Sequence, residues 1–159
     1  MTFLPRLFRY LDGCGIRYSH STHSPAQTAL GVADAERMPA HELAKTVVYF
    51  GDTGYGMAVV PADDLVDLGE VGRLLGLSFI RLASEIELRE LFPDCELGAM
   101  APVGTFHNLP VVVDRQIAQT EFIAFTAGTH CDVIRMGYAD FRDLVKPAAG
   151  SFAISEVLI

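Results

Sequence analysis

Phe3, Leu4, Leu7, Phe8 and Leu11 recur at the spacing of one helical face, and the stripe stops at Gly13 and Gly15. That predicts an N-terminal packing helix. Residues 16–20 suit a short strand, after which Ser24-Pro25-Ala26-Gln27 reads as a capping box with proline at the first helical position. Residues 43–50 are β-branched and aromatic enough for a central strand, and residues 57–61 return it as a hairpin arm. The intervening Gly51-Asp52-Thr53-Gly54-Tyr55-Gly56 lacks the strand, glycine and helix order of a phosphate loop, so it is expected to be the hairpin turn. Asp67 and Ser84 stand three residues before Glu70 and Glu87, each the start signal of a helix, with Gly76 ending the first and Leu91 near the end of the second. Strands are expected at residues 78–82, 111–114, 121–127 and 132–136, and a last helix at 139–145 is closed by Lys146-Pro147. The tail from Ala148 is expected to fold back as an edge element.

One stretch fits neither period. Residues 92–110 contain three prolines and two glycines, which reads as loop. Loops of that length in a compact domain are functional or disordered, and Leu97, Ala99, Met100, Val103 and Phe106 are too apolar for a solvated linker. The segment is therefore either a packed structural Ω-loop or the wall of a pocket. Gly98 favours the pocket, because a residue without Cβ lets main-chain N–H groups approach a ligand.

The 159 residues are 50% hydrophobic, enough for one domain spanning 1–159 with a substantial core. Alternating helices and strands point to an α/β or α+β architecture. No apolar run approaches the ~20 residues that cross a bilayer and the N-terminus lacks signal-peptide shape, so no membrane and a cytoplasmic location are expected. Cys14, Cys95 and Cys131 are widely spaced without a C-x-x-C pair, which suggests reduced, mostly buried thiols. His20-x-x-His23 has a ligand-like spacing but reads as strand end and loop, so no metal and no other cofactor are expected. The net charge of −8 argues against coating duplex DNA or RNA, but it permits contact with a single nucleic-acid end.

Four positions could carry chemistry. Lys45 interrupts an apolar strand and points either to solvent or into a cleft, where it could hold a phosphate or lose its proton and act as a base. Gly98 and the amides after it could donate to a developing oxyanion. His130, after Gly128-Thr129, is either a surface turn residue or a substrate contact. Asp114 ends an apolar strand, as a cap or turn acid or as an anchor for an amine or hydroxyl. No nucleophile motif is present, which leaves positioning and electrostatics.

In their order along the chain, Ala44-Lys45-Thr46-Val47-Val48, Val59-Val60-Pro61, the Asp67-to-Leu75 helix before Gly76, Gly98-x-x-x-Pro102, Leu109-Pro110-x-x-x-Asp114 and Ala127-Gly128-Thr129-His130 resemble the YbaK/ProX family. These are free-standing relatives of the editing domain inserted in bacterial prolyl-tRNA synthetases, and the resemblance runs from about Ser21 to Pro147. It implies a single α/β domain with a mixed, partly barrel-like sheet and flanking helices. It also implies hydrolysis of the ester joining a wrong amino acid to the terminal ribose of a tRNA. The family's essential strand lysine maps onto Lys45, beside Thr46, and would engage the 3′-terminal nucleotide. Its Gly-x-x-x-Pro loop maps onto Gly98, Ala99, Met100, Ala101 and Pro102, against the aminoacyl ester. Gly128 and Thr129 lead to His130, a histidine in some alanine-clearing members. Thr46 departs from the asparagine of some alanyl-specific members.

The implied partners are the 3′ CCA end of an aminoacyl-tRNA, tRNA(Pro) foremost, and a prolyl-tRNA synthetase. An aminoacyl ester is already reactive, so orienting water or a ribose hydroxyl against a polarised carbonyl suffices without triad or metal. Ala99 and Ala101 would line a pocket for a small side chain such as that of alanine or cysteine. Arg17 and Arg135 are further candidates for phosphate contact. Two other readings are a non-catalytic module that captures aminoacyl-tRNA or an amino-acid-like ligand as a synthetase accessory, and a hydrolase of some other small ester or amide.

Overall fold

The computed structural model describes residues 3–155. In chain order the elements are α1 (Phe3–Gly13), β1 (Tyr18–Thr22), α2 (Ala29–Ala35), a 3-10 turn (Ala40–Glu42), β2 (Leu43–Gly51), β3 (Gly54–Pro61), β4 (Asp64–Val66), α3 (Leu68–Leu75), β5 (Ile80–Leu82), α4 (Glu85–Leu91), α5 (Gly104–His107), β6 (Val111–Asp114), α6 (Arg115–Ala118), β7 (Phe122–Thr126), β8 (Asp132–Gly137), α7 (Tyr138–Val145), β9 (Ala148–Gly150) and β10 (Ala153–Ser155).

Eight strands form one mixed sheet in the order β1-β8-β7-β2-β3-β6-β9, with β5 added to β2. It does not close into a barrel. β2 runs parallel to β7 and β3 parallel to β6, while β2–β3, β7–β8 and β1–β8 are antiparallel. The predicted hairpin is present, with Lys45 opposite Val60 and Thr46 opposite Val59. The tail folds back as expected: β9 pairs with β6 and β10 with β4.

Helices cover both faces. Phe3, Leu7 and Leu11 of α1 and Tyr138, Phe141 and Val145 of α7 pack with Ala44, Val48, Met57, Val59 and Phe125. Fully burying each such large side chain stabilises the fold by ~1.5–3 kcal/mol. On the other face Val32 and Ala33 of α2 cover Leu43, Ala124 and Val133, and Val71 of α3 covers Tyr49, Ala58 and Val60. Both acidic start signals are real. The Asp67 side chain accepts from the Glu70 amide, and Ser84 with Glu87 forms a full capping box.

Three expectations are corrected. The capping box at residues 24–27 does not form, because the Ala26 amide donates to the His130 carbonyl and the His23 amide to that of Cys131. Those bonds tie the segment to residues 130–131, and α2 begins later, capped by the Thr28 hydroxyl. Residues 92–110 are not wholly loop, since α5 is wound within them. Of the three free cysteines, Cys14 is exposed and the other two are half-buried.

Candidate functional site

The parallel pairing of β2 with β7 ends after two residues, Leu43 with Ala124 and Ala44 with Phe125. Farther along the same edge β2 is joined by β5, beginning at Tyr49 with Leu82 and extended by the Ala83 amide donating to the Val48 carbonyl. Between those pairings lie Lys45, Thr46 and Val47. They are half-buried, whereas Leu43 and Ala44 before them and Val48 and Tyr49 after them are buried. The sheet therefore has a gap in its middle.

The Gly98 loop keeps it open. Where β7 would continue beside β2, the Gly128 amide donates instead to the Ala99 carbonyl at 2.7 Å, and the Glu96 amide donates to the Gly128 carbonyl at 2.8 Å. The His130 amide donates to the Glu96 carboxylate. Gly98 has φ +83° and Gly128 φ +88°, left-handed values that favour glycine. A Cβ on Gly98 would stand 3.7 Å from the His130 ring, so these two positions are neighbours. Ala99, Met100, Ala101 and Pro102 are all buried, and Met100 and Ala101 share a core cluster with Ala44, Val48 and Ala127. Among the described residues, the Met100 and Ala101 amides have no main-chain acceptor.

Lys45 and Thr46 leave β2 on opposite faces. Thr46 shares the face of Ala44 and Val48, and its hydroxyl is buried with no hydrogen-bond partner among the described residues. Lys45 shares the face of Val60, and its ammonium donates to the Asp64 carbonyl. The structure thus brings the Gly98-to-Pro102 loop against Gly128, Thr129 and His130, through the Ala99–Gly128 bond and the approach of Gly98 to His130, with Thr46 at the break in the ladder and Lys45 on the opposite face of β2. The Thr129 hydroxyl is engaged, donating to Asp132 and accepting from the Cys131 amide.

Asp114 stands apart from this group. It is 2% exposed, and its oxygens accept the amides of Gln116, Phe152 and Ala153. That makes it a cap for α6 and a clamp on the C-terminal tail. Glu96, which orders the turn before His130, escaped the sequence reading because nothing in its spacing marks an acid whose partners are main-chain groups of a distant segment.

Other titratable groups have separate surroundings. His20 bonds Asp132, while His23 Nδ1 contacts the Ser24 carbonyl. His41, Asp63 and Asp64 bring donor atoms within 4.8 Å of one another, and one Asp64 carboxylate oxygen already accepts from the Gln116 side-chain amide. Burial pushes the Cys95 thiol up to about 12, with the Asp94 charge adding to it, so it is no nucleophile. Burial pushes His107 down to about 4, with Arg6 contributing. A cleft of about 490 Å³ is lined by Phe3, Leu4, Pro93, Cys95, Glu96, Gly128 and Thr129. Arg17 and Arg135 line a second of about 390 Å³, where the Arg135 guanidinium lies 3.9 Å from the Phe122 ring centroid.

Fold and site together define an α/β domain with a break in the pairing of its central strand β2, a half-buried lysine on that strand and, among the described residues, no activated nucleophile. The chain belongs to the aminoacyl-tRNA editing domain family, which matches residues 23–144. It is 31% identical over 128 residues to the proline–tRNA ligase of Xanthomonas oryzae pv. oryzae, covering 78% of this chain and 22% of the ligase. It is 29% identical over 94 residues to that of Lactococcus lactis subsp. lactis, covering 59% of this chain and 15% of the ligase. The matched region thus spans 22% and 15% of these two relatives. Its fold matches a crystal structure described as a candidate trans-editing enzyme for prolyl tRNA synthetase, with TM-score 0.80, 24% identity and 99% of both chains covered. It also matches hypothetical protein APE2540, with TM-score 0.83, 19% identity and 93% and 99% coverage.

Proposed function

We propose that this chain is a trans-editing deacylase that removes a small amino acid, alanine or cysteine, from mischarged tRNA, tRNA(Pro) foremost. The observation that carries this reading is the gap in β2 between its pairings with β7 and β5, held open by the Ala99–Gly128 bond. It is a break of three residues, Lys45 to Val47, along one edge of β2, with the buried alanines Ala99 and Ala101 in the loop that captures the Gly128 amide.

The terminal adenosine sits at the Lys45 mouth, where the ammonium leaves the Asp64 carbonyl for a phosphate oxygen. The aminoacyl group enters the gap. The amides that follow Gly98 donate to the ester carbonyl as it takes up negative charge. Water, oriented by the neighbouring ribose hydroxyl, adds to the carbonyl carbon, the ester C–O bond breaks, the amino acid leaves as its free carboxylate, and the departing ribose oxygen takes a proton from the attacking water. His130 and the Ala99-to-Pro102 wall restrict the side chain by size, and Gly128 and Thr129 hold that wall in place. Arg17 and Arg135 lie on the outer surface, available to phosphates farther along the acceptor strand. A prolyl-tRNA synthetase is the natural partner and the cytoplasm the natural site. No helix among the described residues is long and apolar enough to cross a membrane.

The test is deacylation of alanyl-, cysteinyl- and seryl-tRNA(Pro) by the native protein beside Lys45→Ala and Lys45→Arg. One ester should be cleared, and Lys45→Ala should lose that turnover while keeping its fold. Rescue by Lys45→Arg identifies positive charge as sufficient. A fully active Lys45→Ala protein removes the lysine from the mechanism, and binding without turnover across the panel makes the chain a capture module instead.

A further inference from the structure

The gap exposes more than side chains. Along a strand the N–H and C=O of successive residues point to alternate edges. The Ala62 amide donates to the Leu43 carbonyl on the β3 side, and the Ala83 amide donates to the Val48 carbonyl on the opposite side. Alternation between those two fixed points aims the N–H and C=O of Thr46 away from β3, into the gap. No strand reaches them there, since β7 pairing stops at Ala44 and β5 pairing starts at Tyr49. The Gly128 amide, which would have continued the β7 side of the ladder, is bonded to Ala99. Thr46 is thus a single residue of free strand edge inside the sheet.

We propose that this edge reads the main-chain atoms of the substrate's amino acid, which adds to β2 as a strand one residue long. An α-aminoacyl ester has an ammonium and a carbonyl on either side of its α-carbon, the pair that a strand residue presents to a hydrogen-bonded neighbour. The Thr46 carbonyl accepts from the ammonium, and the Thr46 amide donates to the ester carbonyl. This inference rests on the deacylase reading and deepens it. Main-chain pairing is blind to the side chain, so it selects for an unblocked α-amino acid as a class. Discrimination between amino acids is left to the Ala99-to-Pro102 wall and His130.

The experiment compares three esters of one tRNA(Pro) transcript: alanyl, lactyl (hydroxyl in place of the ammonium) and N-acetylalanyl. Each enzymatic rate is divided by the spontaneous rate of the same ester, which removes intrinsic reactivity. The enhancement should fall ~10–100-fold from alanyl to lactyl, the factor expected for losing one charge-assisted hydrogen bond, and further for N-acetylalanyl. Thr46→Val removes the hydroxyl but keeps the peptide group, so the alanyl-to-lactyl ratio should be retained whatever happens to the rates themselves. Equal enhancement for all three esters overturns the inference and leaves the deacylase standing. Collapse of the ratio in Thr46→Val overturns it in favour of the hydroxyl. Failure to clear any aminoacyl-tRNA in the wider panel removes the deacylase reading and this inference with it.

Discussion

Asp114→Ala is the sharpest test of the division between scaffold and site. The carboxylate accepts three amides, from Gln116 at 2.9 Å, Phe152 at 2.9 Å and Ala153 at 2.8 Å. The first closes the N-terminus of α6, and loss of such a cap costs about 1 kcal/mol. The other two join β6 to the segment that leads into β10. Stranding each amide near the core costs ~1–2 kcal/mol, since the donor loses its acceptor without gaining full hydration. Truncation should therefore destabilise the fold by about 3–5 kcal/mol, a midpoint drop on the order of 6–20 °C for a domain of this size. Asp114→Asn keeps one acceptor oxygen and should lose about half as much. Thermal and urea unfolding measure both, and deacylation below the transition reads activity per folded molecule. A stable Asp114→Asn protein that has lost turnover would refute the scaffold assignment and make this acid a substrate anchor.

Two glycines of the same conformation should behave differently. Gly98→Ala meets only the His130 ring at ordinary contact distance, so it should cost ~1–2 kcal/mol of backbone strain while impairing turnover. At Gly128 the added Cβ would enter the Phe3 ring; unfolding midpoints should show a loss of about 3 kcal/mol or more. Equal stabilities for the two variants would sink that distinction. His107 has its folded value lowered from 6.5 to about 4, so its contribution is complete above pH 6.5 and is lost as the pH falls toward 4. That gap is worth at most about 3 kcal/mol. Stability curves against pH should flatten in that window for His107→Phe; an unchanged acid limb would show that other groups set it.

Much of this was legible along the chain because it is local. The stripe of α1, the caps at Asp67 and Ser84 and the hairpin of β2 with β3 depend on residues within a few positions of one another. Periodicity and capping chemistry report those directly. The Gly98-to-Pro102 and Gly128-to-His130 motifs were likewise visible as motifs, as was the lysine of β2. The start of α2 was misplaced because a distant segment, residues 130–131, accepts the His23 and Ala26 amides and keeps residues 23–26 out of the helix, and no local signal competes with such bonds.

What only the tertiary structure decided is which of those motifs share a space. Asp114 read as either a cap or an anchor for an amine or hydroxyl until the tail returned across the sheet and covered its carboxylate with amides, which made it the cap. Glu96 carried no signal at all until the turn before His130 closed on it. The opening at Thr46 has no sequence signature either. It exists because one strand takes its neighbours on a single edge from two places far apart in the chain, and because a loop captures the amide that would have bridged them. Hydrophobic pattern selects the faces a strand buries, but the free edge of its backbone depends on who its neighbours are, and that is set by the fold as a whole.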